Sequence, residues 1–186
     1  YITTMKYVEK YLRPGMRILE IGAATGRYSH TLARKGYQVD AVELVEHNIE
    51  IFKQNTLAGE DITITQGNAT DLSQFKSNTY DLVLLLGPMY HLFTKEDKLK
   101  ALSEAIRVTK KNGVVFAAYC MGDASILSYG FIRGEIYNII EKCMLNTETF
   151  DTFSNPWDIF ELHRKEDIDK LRSEFNVTQL HFIASD

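Results

Sequence analysis

Residues 18–28 read Ile18-Leu19-Glu20-Ile21-Gly22-Ala23-Ala24-Thr25-Gly26-Arg27-Tyr28, an apolar run carrying one acid and closing on two glycines before a polar segment opens. An apolar run without strict alternation reads as a strand buried on both faces. Glycine reaches dihedrals that other residues resist, and it removes the side chain where a ligand lies against the main chain. The stretch therefore predicts a strand, a tight turn and a helix, with Glu20 placed to accept hydrogen bonds from a cationic or polar ligand tail. Taken alone, a Gly-x-x-x-Gly turn also fits a strand-to-helix connection that binds nothing.

Working outward, further apolar, β-branched runs lie at 17–22, 38–44, 62–67, 80–87, 114–120 and 177–184. Helical spacing separates the early ones: Met5, Val8 and Leu12, then Tyr28 and Leu32, then Ile49 and Phe52. After the fourth run, Thr94 and Asp97 form a capping-box pattern ahead of Leu99, Leu102 and Ile106, with Gly113 closing the segment. Strands alternating with helices predict an α/β, doubly wound, mainly parallel sheet with helices on both faces. The whole chain, 1–186, is read as one domain. Residues 121–170 form a partial cap, because this interval breaks the alternation and carries Tyr129, Phe131, Tyr137, Phe150, Phe153, Trp157 and Phe160. Within it and just beyond, Ile132, Ile136, Ile139 and Cys143, and then Ile168, Leu171 and Phe175, have helical spacing.

Ligands of such sheets bind at the carboxyl ends of the strands. At the end of the second run, Val42-Glu43-Leu44 places a carboxylate where it can accept both hydroxyls of a ribose. The third run ends in Gly67-Asn68-Ala69-Thr70-Asp71, and the fourth in Leu86-Gly87-Pro88-Met89-Tyr90-His91. Four glycine- or carboxylate-bearing strand ends in register point to a bound nucleoside.

On these residues the sequence resembles the class I S-adenosylmethionine-dependent methyltransferases over most of its length. The resemblance implies a Rossmann-like fold with S-adenosylmethionine as cofactor. Glu20, Gly22, Ala24 and Gly26 would surround the aminocarboxypropyl end, and Glu43, followed by Leu44, would hold the ribose. Asn68 and Ala69 would read the adenine edge, while Leu86 and Gly87 would lie beside the methionine portion. Ala24 departs from the family's middle glycine, and Asn68 stands where aspartate is usual; asparagine keeps an acceptor and a donor. The family's sheet usually ends in a sixth and an antiparallel seventh strand, and the final one is expected to be missing. The chain opens at Tyr1 without an initiator Met and reads as a fragment.

Methyl transfer is an in-line displacement, so positioning carries much of the catalysis. Tyr90 and His91 follow the fourth strand where an acceptor would sit, and His91 is the candidate base. The alternative is that His91 packs at the next helix and Tyr90 walls the cofactor pocket. Gly87-Pro88-Met89-Tyr90 lacks the amide or acid that opens the Asn/Asp-Pro-Pro-Tyr tetrapeptide of amino methyltransferases, which weakens base or glutamine N-methylation. Gly-Pro-x-Tyr-His-Leu looks instead like a group of small bacterial methyltransferases of undefined acceptor. Two other functions stay open: a non-catalytic module that binds the cofactor as a ligand, and a nicotinamide-dependent oxidoreductase, whose usual Gly-x-Gly-x-x-Gly turn is broken here.

The remaining composition narrows the partners. A formal charge of −4, from 21 basic and 25 acidic residues with only short basic pairs, does not predict a nucleic-acid groove. A small-molecule substrate is expected. The strongly apolar run at 82–86 is far short of the roughly 20 residues of a membrane helix, so no membrane partner is expected. Cys120 and Cys143 read as reduced thiols of a cytoplasmic protein. His30, His47, His163 and His181 lack metal-ligand spacing and read as surface or packing residues, so no metal is expected.

Overall fold

The computed structural model describes residues 1–184. Helix α1 (Ile2–Tyr11) precedes β1 (Arg17–Ile21), α2 (Arg27–Arg34), β2 (Gln38–Glu43), α3 (Glu46–Asn55), β3 (Ile62–Gln66), β4 (Tyr80–Leu85), α4 (Lys95–Val108) and β5 (Thr109–Ala117). These strands form a parallel sheet in the order β3-β2-β1-β4-β5. Because the chain steps outward from β1 to β3 and then returns to β4 on the other side of β1, the connections diverge at the carboxyl ends of β1 and β4.

Period-two alternation explains why the runs are continuous rather than striped. Ile18, Val39, Leu82 and Leu84 pack with Met5 and Val8 of α1 and with Leu32 and Ala33 of α2. Their neighbours Leu19, Val83 and Leu85, which point the other way, are fully buried as well. Helix α3 places Phe52 against Ala41. Helix α4 buries Ala101, Leu102, Ala105 and Val108 along one stripe. Helices thus flank a mostly parallel sheet, as the alternation predicts.

Two compact units divide the chain. One holds Tyr1–Met89, Leu99–Ala118 and the stretch from Thr178; the other holds Tyr90–Lys98 and Tyr119–Val177. The second unit contains β6 (Cys120–Met121) paired in parallel with β7 (Leu162–His163), the short helices α5 (Gly122–Ser125) and α6 (Ile136–Glu141), a π-helical turn at Ile126–Ile132, and α7 (Lys165–Ser173). No helix among the described residues is long and apolar enough to cross a membrane.

Four local expectations are corrected. The expected strand at 177–184 does not form: His181 instead sets its ring against Tyr7 at 5.3 Å and Tyr11 at 6.1 Å, so these contacts go to α1 rather than to the sheet. The expected strand 114–120 ends at Ala117, and Cys120 belongs to the separate β6–β7 ladder. Helix α4 stops at Val108 rather than running to Gly113, and the pairing jumps from Tyr80↔Thr109 to Leu82↔Val114. Lys110 to Gly113 form a bulge within β5 there, with Asn112 in the left-handed region at φ 65°. The helical spacing from Ile132 to Cys143 is also interrupted, since Gly134 and Cys143 both take positive φ.

Candidate functional site

The carboxyl ends of β1, β2 and β4 build one constellation from backbone and carboxylates. After Ile21 the chain turns through Gly22 at φ 75°, Ala24 at φ 47° and Gly26 at φ 91°, and α2 begins at once. The amides of Gly22 and Ala23 both donate to the Val42 carbonyl, at 2.8 and 3.0 Å, which ties the turn to β2. A Cβ at Gly22 would lie 2.7 Å from Cδ of Pro88, and one at Gly87 would lie 3.2 Å from the Gly22 carbonyl oxygen. The turns after β1 and β4 therefore touch through glycine.

Two buried carboxylates organise this turn. Glu43 Oε2 accepts the Ala24 amide at 2.7 Å, while its Oε1 accepts the Val45 amide at 3.0 Å and the Asn48 side-chain amide at 3.2 Å. A carboxylate offers about four lone-pair sites, so three donors leave room for a ribose hydroxyl. Glu20 accepts the Ser29 amide at 2.9 Å and the Ser29 hydroxyl, capping the first turn of α2 from the neighbouring strand. Burial pushes the Glu20 carboxyl up to about 7; the Ser29 hydrogen bonds oppose this, and the nearby Glu43 charge adds to it.

The other expected cofactor residues are placed less uniformly. Asn68 is exposed and spends its side-chain oxygen on the Thr70 amide at 3.1 Å, whereas Ala69 is buried. Leu44 is 58% exposed. Leu86 turns its side chain into the α1–α2 cluster, which leaves its backbone as the part available at the strand end.

Tyr90 and His91 stand in the second unit. Their rings lie 4.8 Å apart, and Phe160 sits 5.5 Å from Tyr90 and 5.4 Å from His91. His91 Nδ1 donates to the Ile159 carbonyl at 2.8 Å; a carbonyl only accepts, so this contact requires the tautomer with its proton on Nδ1. That leaves Nε2 as the basic nitrogen.

Sequence reasoning missed Ser29 and Asn48, the partners of the two carboxylates. Their only signal is helical position: Ser29 is at the third residue of α2, where an amide lacks an intrahelical acceptor, and Asn48 is at the third of α3. A second missed pair is His30 and Glu60, 2.8 Å apart, with the His30 ring tilted against Phe52 at 4.6 Å behind Gly26.

The residues fit an adenosyl cofactor on their own geometry: a glycine turn whose Cβ positions are blocked, a carboxylate at the end of β2 with a lone pair to spare, and a second buried carboxylate beneath the turn.

Comparison with known proteins agrees. Residues 18–113, more than half of the chain, match the family described as Methyltransferase domain. A ubiquinone biosynthesis O-methyltransferase of Vibrio campbellii is 21% identical over 90% of this chain and 68% of its own length. A demethylmenaquinone methyltransferase of Renibacterium salmoninarum is 32% identical over 56% of this chain and 41% of its own. The chain thus spans from about two fifths to two thirds of these relatives. A crystal structure of a SAM-dependent methyltransferase from Methanosarcina mazei superimposes with a TM-score of 0.66 at 19% identity, covering 90% of this chain and 82% of that one. The chain belongs to the methyltransferase domain family and has the Rossmann-like fold of the class I S-adenosylmethionine-dependent methyltransferases.

Proposed function

We propose that the protein transfers a methyl group from S-adenosylmethionine to a small-molecule acceptor. The observation that carries this reading is Glu43, a buried carboxylate at the end of β2 that holds the Ala24 turn and keeps a lone pair for a ribose hydroxyl. When bound, the cofactor supplies an electrophilic methyl on a sulfonium whose leaving group is a neutral thioether.

The chain's own residues then divide the work. Glu43 takes the ribose, with Leu44 beside it. Glu20 lies beneath Gly22, Ala24 and Gly26, where its negative form answers the cationic end of the cofactor. Asn68 and Ala69 take the adenine edge, and the Leu86 backbone with Gly87 takes the methionine portion. Tyr90 and His91 serve the acceptor, with Nε2 of His91 free to take a proton. Residues 121–170 supply acceptor specificity. Similarity to a ubiquinone biosynthesis O-methyltransferase and a demethylmenaquinone methyltransferase favours a small acceptor of the quinone-biosynthesis kind. The reaction is placed in the cytoplasm, where Cys120 and Cys143, both unpaired, stay reduced.

Calorimetric titration with S-adenosylhomocysteine tests the cofactor site, and tritium transfer from labelled S-adenosylmethionine into metabolite extracts tests turnover. Saturable binding with label incorporation is expected. A folded protein that takes up no S-adenosylhomocysteine would overturn the proposal.

A further inference from the structure

Gly26 ends the glycine turn, and the space behind it is filled by two rings. A Cβ built at Gly26 would lie 2.5 Å from Nε2 of His30, 2.7 Å from its Cδ2 and 2.6 Å from Cδ2 of Phe52. The two rings themselves are tilted against each other at 4.6 Å. Gly26 immediately precedes α2 and brings no side-chain cap to that helix, so the end of the turn is held by its backbone and by what it rests on. Its amide donates to the Ala23 carbonyl at 2.9 Å, and its carbonyl accepts the His30 amide at 2.8 Å. His30 thus meets Gly26 twice, through the main chain and through its ring.

His30 is 5% exposed, and a second buried residue grips it. Glu60, in the loop before β3 with its side chain 4% exposed, places Oε2 2.8 Å from His30 Nδ1 and Oε1 2.6 Å from Arg34 Nε. Oε2 also accepts the Leu57 amide at 3.2 Å. Burial raises the Glu60 carboxyl, but Arg34, His30 and the Leu57 amide outweigh it and hold it below its usual range. An ionised carboxylate only accepts, so His30 Nδ1 carries a proton and donates it. This bond fixes the rotation of the ring and turns its Nε2–Cδ2 edge toward Gly26. Among the described residues no group hydrogen-bonds to Nε2. A hydrocarbon side chain would fill the same volume without burying an unpaired nitrogen, so packing alone does not account for a histidine here.

We propose that His30 is a positioning residue for the cofactor turn: clamped by Glu60, its ring forms with Phe52 a seat that fixes Gly26, a role that rests on the S-adenosylmethionine reading above. Gly26 can lie on this seat only because it lacks a Cβ, and there it holds φ 91°, a conformation that closes the turn onto α2. Without the ring, the conformational freedom of glycine returns, and part of the binding free energy goes into ordering the turn. Glu20 grips Ser29 while Glu60 grips His30, so adjacent residues of α2 are fixed by separate acids.

Amide exchange and calorimetry on the full chain test the seat. In His30→Ala, exchange at the Gly26 amide should quicken about tenfold in the empty protein while amides of β1 keep their rates, because the loss is local. S-adenosylhomocysteine affinity should fall about tenfold, whereas Thr94→Ala, which removes a side-chain cap of α4, should leave it unchanged. Glu60→Ala should reproduce the lost affinity, and Glu60→Gln should restore it to within about threefold, since an amide oxygen still accepts from Nδ1. In the wild type, which needs no variant to fold, imidazole nitrogen NMR should find the His30 proton on Nδ1. Gly26 exchange that is unchanged in His30→Ala, or that rises only together with β1, would overturn the proposal. So would a Glu60→Gln variant as weak as Glu60→Ala, or a wild-type Nδ1 without a proton. A wild type that binds no S-adenosylhomocysteine while Gly26 exchange still responds to His30→Ala would instead overturn the cofactor reading on which the role rests.

Discussion

The Glu43 carboxylate accepts the backbone amide of Ala24 at 2.7 Å, so the acid at the end of β2 also fixes the turn after β1. One side chain thus links the turn to the start of α3 through the Val45 amide. Substituting Glu43→Ala removes hydrogen bonds to a charged acceptor, each on the scale of about 1.5–3 kcal/mol. S-adenosylhomocysteine affinity should fall by about 1–3 kcal/mol by calorimetry. Circular dichroism will show whether the variant keeps its fold, and unchanged affinity in a folded variant would remove Glu43 from the site.

Glu20 makes stability depend on pH. Its folded value of about 7 stands above 4.5, so between these values the folded state binds the extra proton. Stability should therefore decline as pH rises from about 4.5 through 7, by at most about 3 kcal/mol, and recover on acidification over the same window. Urea denaturation across this range measures the slope. Glu20→Gln should flatten it, and an identical slope in the variant would show that another group is responsible.

Ionised Glu20 also suits a cationic cofactor tail. Binding of S-adenosylhomocysteine, whose amino group is positive, should then release a proton near pH 7 and tighten as pH rises through that value. Calorimetry in buffers of different ionisation enthalpy counts the proton. A binding heat independent of buffer would contradict the linkage.

Opposite outcomes are expected at two neighbouring turn positions. Ala24 holds φ 47°, where a Cβ costs about 1–2 kcal/mol, so Ala24→Gly should stabilise the fold by up to about 1 kcal/mol once the greater freedom of unfolded glycine is counted. Gly22→Ala should destabilise it by more than about 1 kcal/mol, since its Cβ would meet the Pro88 ring at 2.7 Å with φ at 75°. Thermal unfolding of both variants tests the pair, and a shift of the same sign in both would refute the strain argument.

The Thr94 side-chain cap of α4 offers a contrast away from the cofactor. The Asp97 amide donates to Thr94 Oγ1 at 3.1 Å, and the hydroxyl donates to the Asp97 carboxylate at 2.8 Å. Thr94→Ala should cost about 1 kcal/mol of stability, measured by denaturation, with S-adenosylhomocysteine affinity unchanged.

Strands β1 to β4 and the helices around them were legible because their signals are local. In β1, β2 and β4 a continuous apolar run buries both faces, while β3 at the sheet edge alternates and stays partly exposed. The residue after each strand stands at the sheet's carboxyl end. Glu20, Gly22, Gly26, Glu43 and Gly87 followed from that geometry. What was not legible depends on distant partners. Residues 177–184 have strand composition, but His181 meets Tyr7 and Tyr11 across the whole length of the chain. The bulge at Lys110 to Gly113 exists because β5 pairs with β4 in a shifted register, which no local pattern encodes. The burial of His163 depends on β6, more than forty positions earlier in the sequence.

The contact between Gly22 and Pro88 has a further consequence. A recognition loop that already rests against its neighbour has little motion left to surrender when a guest arrives. Association at these strand tips should therefore proceed as lock and key, with amide exchange rates at Gly22 and Ala23 nearly the same in empty and loaded protein.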